Sequence, residues 1–294
     1  MTDKIAPSPP RRWTVWAAGA LAVGLGAAAT AQLSRASDET LAMIGQLSPA
    51  VWAAWVALYL VQPVADAVIF RRLWGLKLAD FGVVLRKVAI NEVLFGYTGE
   101  LFFYLWARRR ARLAAAAFGA IKDVNIVSAL GGNVLTLATL GLSAHALKSI
   151  DLGRQLGPLL WPSLAVVGLS FAVPLFARRL FSLTRRELLY VSVVHAARMA
   201  VSSALTLLVW RSALPGVEPG VWLALLAGRL LLARLPLVAN KDLVFANLLL
   251  ALFGAGSPTA ILLATLAIAT LLTHLAVIVA TNVPGLLRAM LRRA

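Results

Sequence analysis

Ten ionisable residues lie inside apolar stretches of the sequence, where a charged side chain requires a physical reason. They are Asp66, Glu92, Glu100, Lys122, Asp123, Arg198, Arg229, Arg234, Lys241 and Asp242. An unpaired charge at the centre of a membrane-spanning helix costs about 2.5–3.5 kcal/mol on insertion scales. We therefore expect most of these side chains to face the protein interior, where they pair with one another or line a polar cavity.

The chemistry that these residues offer is the binding of a polar headgroup. The planar guanidinium of arginine donates two parallel hydrogen bonds to a phosphate, and a helix that begins near 240–242 offers free N–H groups to an anion. Carboxylates could accept an amine or carry a proton. We predict a headgroup cavity lined by Glu92, Glu100, Asp123, Arg198, Arg229, Arg234, Lys241 and Asp242.

A structural role is the alternative for several of these residues. Asp66 lies one turn from the end of its apolar stretch and could pair with Arg71 or Arg72. Lys122 and Asp123 could lie in the membrane interface. The arginines of the predicted cavity could likewise pair with its carboxylates instead of binding a ligand. The sequence leaves these alternatives open.

Motifs for catalysis or metal binding are missing from the sequence. It contains no cysteine, which excludes a thiolate nucleophile and a Cys-ligated metal. The three histidines, His145, His195 and His274, lie far apart and none belongs to a HExxH-type motif. The acidic residues are scattered, and no phosphate-binding loop of the Walker type is present. We predict no enzymatic activity, no catalytic residue, no metal ion and no cofactor.

The composition identifies the class of protein. The chain has 294 residues, of which 61% are hydrophobic and 14% charged, and its formal net charge is +16. Its mean hydropathy is +0.84. Soluble domains are nearer half apolar and a quarter charged, so a cytosolic enzyme and a disordered chain are excluded. A nucleic-acid binder would carry its basic residues on a polar surface. We predict an all-α polytopic membrane protein.

Six apolar segments are long enough to cross a bilayer, which needs roughly 20 residues. The long apolar stretch at 113–147 contributes one of them, from about Asn125, and its earlier part could form an interfacial helix. The six predicted crossings are 13–33, 49–70, 125–147, 158–176, 188–210 and 259–281.

Two further apolar segments are interrupted by residues that break helices. The segment 88–106 contains Gly96 and Gly99, which would also allow a helix or a headgroup to come close. The segment 221–254 contains Pro236, which removes a backbone donor and breaks a helix. The proline leaves two half-length helices, at roughly 221–235 and 242–254.

Positive charge predicts how these two segments lie in the membrane. Lys and Arg next to spanning helices collect on the cytoplasmic side. All the basic clusters face that side only if 88–106 and 221–254 each enter and leave the bilayer on one face. We predict two such re-entrant elements, a cytoplasmic tail at 1–12, a membrane domain at 13–287 and a second cytoplasmic tail at 288–294. The clusters lie at 1–12, 71–87, 107–112, 177–187 and 285–294.

The two interrupted segments align loosely with each other. Glu100-Leu-Phe-Phe begins six residues after Leu94, and Asp242-Leu-Val-Phe begins six residues after Pro236. Two broken elements that enter from opposite faces are the plan of transporters with inverted repeats, whose half-helix ends meet near the midplane and hold the substrate. The alignment favours an inverted repeat in this chain.

The first interrupted segment also resembles a known family. Asn91, Gly96-Tyr-Thr-Gly99-Glu100 and the later pair Lys122-Asp123 are similar to a pattern in the transmembrane region of lysylphosphatidylglycerol synthases and in the related stand-alone flippase-like (UPF0104/YbhN-type) proteins. Leu235-Pro236 falls where the second motif of that family begins. The resemblance implies two re-entrant elements and lipid translocation between leaflets, with Glu100, Asp123 and the break at Pro236 as the residues carried over.

These observations together predict a translocator of a phospholipid or a lipid-linked phosphate intermediate in the inner membrane. Its partners would be membrane lipids with anionic or phosphate-bearing headgroups, together with a membrane-protein partner or a second copy of the chain, and not nucleic acid. The alternatives are a non-transporting accessory subunit and a membrane-embedded lipid-modifying transferase.

Overall fold

A computed structural model describes residues 38–94, 96–110, 117–149, 161, 164–165, 167–169, 181–235 and 240–291. Within these ranges the chain is almost entirely helical and contains no β-strand. Nine α-helices, numbered in chain order, are α1 (Asp38–Gln46), α2 (Pro49–Trp74), α3 (Phe81–Val93), α4 (Thr98–Arg108), α5 (Ala117–Ser149), α6 (Arg185–Ala213), α7 (Pro219–Leu232), α8 (Lys241–Phe253) and α9 (Pro258–Leu291).

Four of these helices, α2, α5, α6 and α9, are long and apolar enough to cross a bilayer. Each contains one predicted crossing, so the all-α membrane class is confirmed for the described part of the chain. The predicted crossing at 13–33 lies outside the described residues, as does most of the one at 158–176. Helix α5 is continuous from Ala117, so the separate interfacial helix suggested before Asn125 is wrong.

Local sequence signals explain where the long helices start and stop. Ser48 caps α2 by accepting a hydrogen bond from the Val51 amide, and Pro49 occupies the first turn, where its missing N–H costs nothing. The helix ends at Gly75, whose left-handed φ of 67° few other residues adopt readily. Thr184 and Glu187 form a capping box at the start of α6.

Two apolar clusters lie at opposite ends of the helix bundle. One joins the start of α2 to the end of α6, and the other joins the end of α2 to the start of α6. Because α2 and α6 pack against each other, they are antiparallel. The first cluster also takes in α7 and α8, whereas the second takes in α3 and α4. The two pairs of short helices therefore occupy opposite ends of the bundle.

The order long, short, short, long occurs twice along the chain, as α2–α5 and again as α6–α9. The packing partners are exchanged between the two sets. Helix α3 packs against α9 of the second set, and α7 packs against α5 of the first. This exchange brings the two interruptions between the short helices next to each other.

Candidate functional site

The interruptions between the short helices lie next to each other. Each second helix begins after a non-glycine residue with positive φ, Tyr97 at 74° and Asn240 at 47°, which L-residues adopt uncommonly. The Asn240 amide donates a hydrogen bond of 3.0 Å to the Glu92 carbonyl, which links the two interruptions directly. Pro236, the predicted break, lies outside the described residues, but α7 ends at Leu232 and α8 begins at Lys241.

Side chains near each interruption satisfy main-chain groups that the helix ends leave without partners. The Asn91 side chain accepts a hydrogen bond of 2.7 Å from the Gly99 amide at the start of α4. Lys241 Nζ donates one of 2.7 Å to the Ala233 carbonyl at the end of α7. Lys241, a predicted cavity residue, is thus engaged in closing a helix end.

The two glycines of the first interruption have different roles. A Cβ atom added to Gly99 would collide with the Lys87 carbonyl and the Asn91 side chain, so α4 can lie against α3 only without a side chain at this position. A Cβ on Gly96 would meet nothing within 4 Å. A neighbouring helix therefore comes close at Gly99, whereas no protein atom comes close at Gly96. Because the helix is interrupted, Glu92 and Glu100 also do not share one helical face.

The first short-helix pair contains a sealed cluster of three charges. Lys87 Nζ lies 2.9 Å from Asp66 Oδ2 and 3.4 Å from Glu100 Oε1, and these side chains are 4%, 4% and 12% exposed. The rings of Phe70 and Phe103 lie next to the ammonium group. Asp66 therefore pairs with Lys87 rather than with the arginines at the end of its helix. Lys87, which the sequence placed in a cytoplasmic basic cluster, is an interior residue.

The second short-helix pair contains an ion pair in a more open setting. Arg229 Nε and Nη2 donate to the two carboxylate oxygens of Asp242, both at 2.8 Å. The two side chains are 32% and 33% exposed and line a cavity of about 50 Å³. Arg229 is thus paired with a carboxylate and at the same time lines a cavity. Other walls of this cavity come from Trp55, Thr206, Trp210, Phe245 and Thr270.

Glu92 lies between the two short-helix pairs. It lies within electrostatic range of Glu100 on one side and of Arg229, Lys241 and Asp242 on the other. Glu92 is the residue before the last of α3, so it lies at the end of the helix where the dipole disfavours a negative charge.

Two arginines in the interior have only uncharged partners among the described residues. Arg198 donates hydrogen bonds of 3.2 Å to Gln62 Oε1 and 3.0 Å to Ser128 Oγ. Arg234 donates hydrogen bonds of 3.4 Å to Asn133 Oδ1 and, from Nε, to the Leu230 carbonyl, and its guanidinium lies against Gly132.

The environment of these two arginines leaves hydrogen-bond donors unused. No described carboxylate lies within 4 Å of either guanidinium. Arg198 Nε and Asn133 Nδ2 are buried and have no hydrogen-bond partner in the described part of the chain. The sequence suggested Glu92, Glu100 and Asp242 as partners of the arginines. Asp242 pairs with Arg229 and Glu100 with Lys87, and Glu92 forms no ion pair with a described residue.

Asp123 lies apart from the other predicted site residues. It is fully buried, and its Oδ2 accepts hydrogen bonds of 2.5 Å from the Ser182 amide and 2.7 Å from the Leu183 amide. Lys122 Nζ lies 3.3 Å from its other oxygen. These contacts hold the segment that leads into α6. Asp123 contacts no other member of the predicted headgroup cavity among the residues that the structure describes.

An ion pair closes the open end of the first short-helix pair. Asp80, just before α3, lies 2.7 Å from Arg110 Nη2, just after α4. Burial acts against the charged form, but the hydrogen bonds from Arg110 and the Lys77 amide hold the pKa of Asp80 below its ordinary value. The start of α3 and the end of α4 therefore lie side by side at the same end of the bundle.

Sequence reasoning missed several residues of this interior. Lys87 has a signal that could have revealed it, since it precedes Glu100 by the 13 residues that also separate Arg229 from Asp242 (100 − 87 and 242 − 229). Gln62, Ser128 and Asn133 carry no comparable signal. Within the described ranges, no three His, Asp or Glu side chains converge as a metal site would require.

Comparison of the chain with protein-family models finds no matching family, and searches of curated proteins and of solved structures find no matching protein.

Proposed function

We propose that this chain is an integral membrane protein that moves the headgroup of a phosphate-bearing lipid between the leaflets of the inner membrane. The observation that carries the proposal is the pair of guanidiniums, Arg198 and Arg234, without a carboxylate partner in the middle of the bundle. Arg198 lies about 20 Å from either end of α6, at 1.5 Å of rise per residue. A charge at that depth is costly unless it serves a polar path or a ligand.

The path would be formed by two re-entrant elements, α3–α4 and α7–α8. The ion pair between Asp80 and Arg110 supports this for the first element, since it joins the point of entry to the point of exit. The packing of Trp222 and Leu249 in one apolar cluster supports it for the second. The hydrogen bond between Asn240 and Glu92 fits the meeting of two such elements near the midplane.

An inverted repeat accounts for the same features. The offset between Lys87 and Arg229 equals that between Glu100 and Asp242, at 142 residues (229 − 87 and 242 − 100). The offset between Leu94 and Pro236, read from the sequence, is also 142 (236 − 94). Exchange of packing partners between the two sets of helices is the arrangement expected if the repeats are interlocked.

A transport assay tests the proposed function. The purified chain is reconstituted in vesicles that contain a fluorescent phospholipid, and movement of the label between leaflets is followed with a membrane-impermeant quencher. We expect the wild-type chain to accelerate movement, and the double variant Arg198→Gln/Arg234→Gln to slow it by about tenfold or more, since charge-assisted hydrogen bonds are lost. Arg211→Gln, an exposed charge at the end of the same helix, is the matched control.

Two outcomes would contradict the proposal. Vesicles with wild-type chain that move lipid no faster than protein-free vesicles would reject translocation and favour the accessory role. A double variant as fast as wild type, with an unchanged elution profile, would reject the arginines as the headgroup path.

Cysteine labelling tests the proposed membrane topology. The chain lacks cysteine, so single cysteines at Trp106, Gly216 and Ser257 can be labelled from either side of the membrane. We expect position 106 to react from the cytoplasmic side and positions 216 and 257 from the outer side. Labelling of position 106 from the outside would reject the re-entrant assignment of α3–α4 and the cytoplasmic placement of both termini.

A further inference from the structure

Hydrogen-bond donors that have no acidic partner among the described residues lie beside α5. Ser128 binds Arg198, and Asn133, together with the backbone at Gly132, contacts Arg234. Positions 128 and 132 are one helical turn apart, so the two guanidiniums are anchored roughly 6 Å from each other along the helix. Each arginine lies within electrostatic range of the other.

The donors in this group exceed the acceptors that the surrounding protein offers. A guanidinium has five N–H donors and a primary amide has two. Arg198 donates to a hydroxyl and an amide oxygen, while its Nε is buried without a partner. The Asn133 side chain belongs to a residue that is 2% exposed, and its Nδ2 also has no partner. Buried donors are normally satisfied, so these unused groups indicate an acceptor that the described protein atoms do not supply.

The balance of charge indicates that the acceptor is an anion. The carboxylate within electrostatic range of Arg198 is Asp66, which is held by Lys87 at 2.9 Å. No described carboxylate forms an ion pair with Arg198 or Arg234, so an amine of the ligand placed between them would meet two positive charges. A zwitterionic headgroup matches this environment poorly, whereas a group with two negative charges and three terminal oxygens matches it well.

We propose that Arg198, Arg234 and Asn133 bind the dianionic phosphate of a phosphate monoester, carried as the terminal headgroup of a lipid. Each guanidinium would donate hydrogen bonds to one or two phosphate oxygens, and the Asn133 amide would donate a hydrogen bond to another. This inference rests on the proposed function for the lipid as the carrier of the phosphate, but the recognition of the phosphate stands on the donor group alone.

Equilibrium binding to the full chain in detergent tests the inference with three probes. They are a lipid that ends in a phosphate monoester, a zwitterionic phosphodiester lipid of the same acyl chains, and sodium phosphate. Calorimetry measures the affinity, and thermal unfolding monitors the folded state. We expect the monoester lipid to bind at least about tenfold more tightly than the zwitterionic lipid.

Variants identify the residues that bind. Arg198→Gln and Arg234→Gln should each weaken binding of the monoester lipid by about tenfold to a hundredfold, because each removes a charge-assisted hydrogen bond. Asn133→Leu, which has a similar volume, should weaken it by up to about tenfold, since a neutral donor is lost. Arg211→Gln should bind as the wild type does. Variants that unfold at the wild-type temperature and still lose affinity support the assignment.

The results distinguish a lipid-borne phosphate from free phosphate, and they distinguish phosphate binding from lipid movement. Weaker binding of sodium phosphate than of the monoester lipid supports a lipid-borne group, whereas equal affinity would overturn the lipid as its carrier. Preference for the zwitterionic lipid, or no binding of any probe, would overturn the inference even if the chain moves lipid between leaflets. Tight binding of the monoester lipid by a chain that moves no lipid would support the inference and reject the proposed function.

Discussion

The two short-helix pairs contain the same kind of ion pair in different surroundings. In each, a base on the first helix pairs with a carboxylate in the first turn of the second helix, 13 residues later. The side chains of Lys87 and Glu100 are 4% and 12% exposed, whereas those of Arg229 and Asp242 are each about a third exposed. One pair is sealed and the other lines a cavity.

The neighbours of each ion pair account for this difference. Asp66 contributes a second carboxylate to Lys87, and the aromatic rings of Phe70 and Phe103 lie close to it. Arg229 and Asp242 instead face a cavity with the polar side chains Thr206 and Thr270 in its wall. The first ion pair is therefore enclosed by protein side chains, whereas the second borders a cavity.

The largest expected effect comes from removing the base of the sealed pair. Lys87→Met leaves Asp66 and Glu100 buried without a counter-charge, and breaking a buried ion pair in this way costs about 3–5 kcal/mol. The free energy of unfolding in mixed micelles measures the loss. The triple variant Lys87→Met/Asp66→Asn/Glu100→Gln should recover much of it. Equal stability of Lys87→Met and wild type would show that the cluster is not sealed.

The close contact within the first pair gives the next largest effect. Gly99→Ala places a methyl group against the Lys87 carbonyl and Asn91, and we expect a loss of about 1–3 kcal/mol, as for other overpacked sites. Gly96→Ala has open space around it and is the matched control, with little expected change. Thermal unfolding compares the two variants. A similar loss at both positions would point to backbone strain instead of a collision.

The open ion pair should be less costly to break than the sealed one. Arg229→Met leaves Asp242 beside a cavity, and partial exposure lets solvent screen its charge, so we expect about 1–2 kcal/mol. The same unfolding assay as for Lys87→Met gives a direct comparison. A loss as large as that of Lys87→Met would abolish the distinction between the two short-helix pairs.

The smallest expected effect concerns the ion pair that closes the first short-helix pair at its open end. Because the pKa of Asp80 is lowered in the folded state, its contribution to stability is present above the unfolded value of about 3.9 and is lost as the pH falls through the lower folded value. We expect the loss to be no more than about 1 kcal/mol, since Arg110 is 37% exposed. Unfolding of wild type and Asp80→Asn from pH 6 to pH 2 measures it, and parallel pH profiles would contradict it.

The sequence predicted much of the helical architecture. Hydropathy located the four long helices that the structure describes, because the length of an apolar run is a local property. The half-helices predicted at 221–235 and 242–254 agree closely with α7 and α8. A proline alone does not decide such a break, since Pro63 lies inside the continuous helix α2. The separate helix suggested before Asn125 was wrong, because the charged residues Lys122 and Asp123 do not interrupt α5 near its start.

The site could be predicted only in part. The sequence by itself determined which residues had to be reconciled with an apolar interior, because the cost of burying a charge depends on residue type and on the length of the surrounding apolar run. Only the tertiary structure decided the partners. Lys87 contacts Asp66, which is 21 residues away in the sequence, and Arg198 contacts Gln62, which is 136 residues away. Contacts between residues so far apart in sequence depend on how whole helices pack. For this reason Arg229 proved to be paired, whereas Arg198 and Arg234 were left facing uncharged groups.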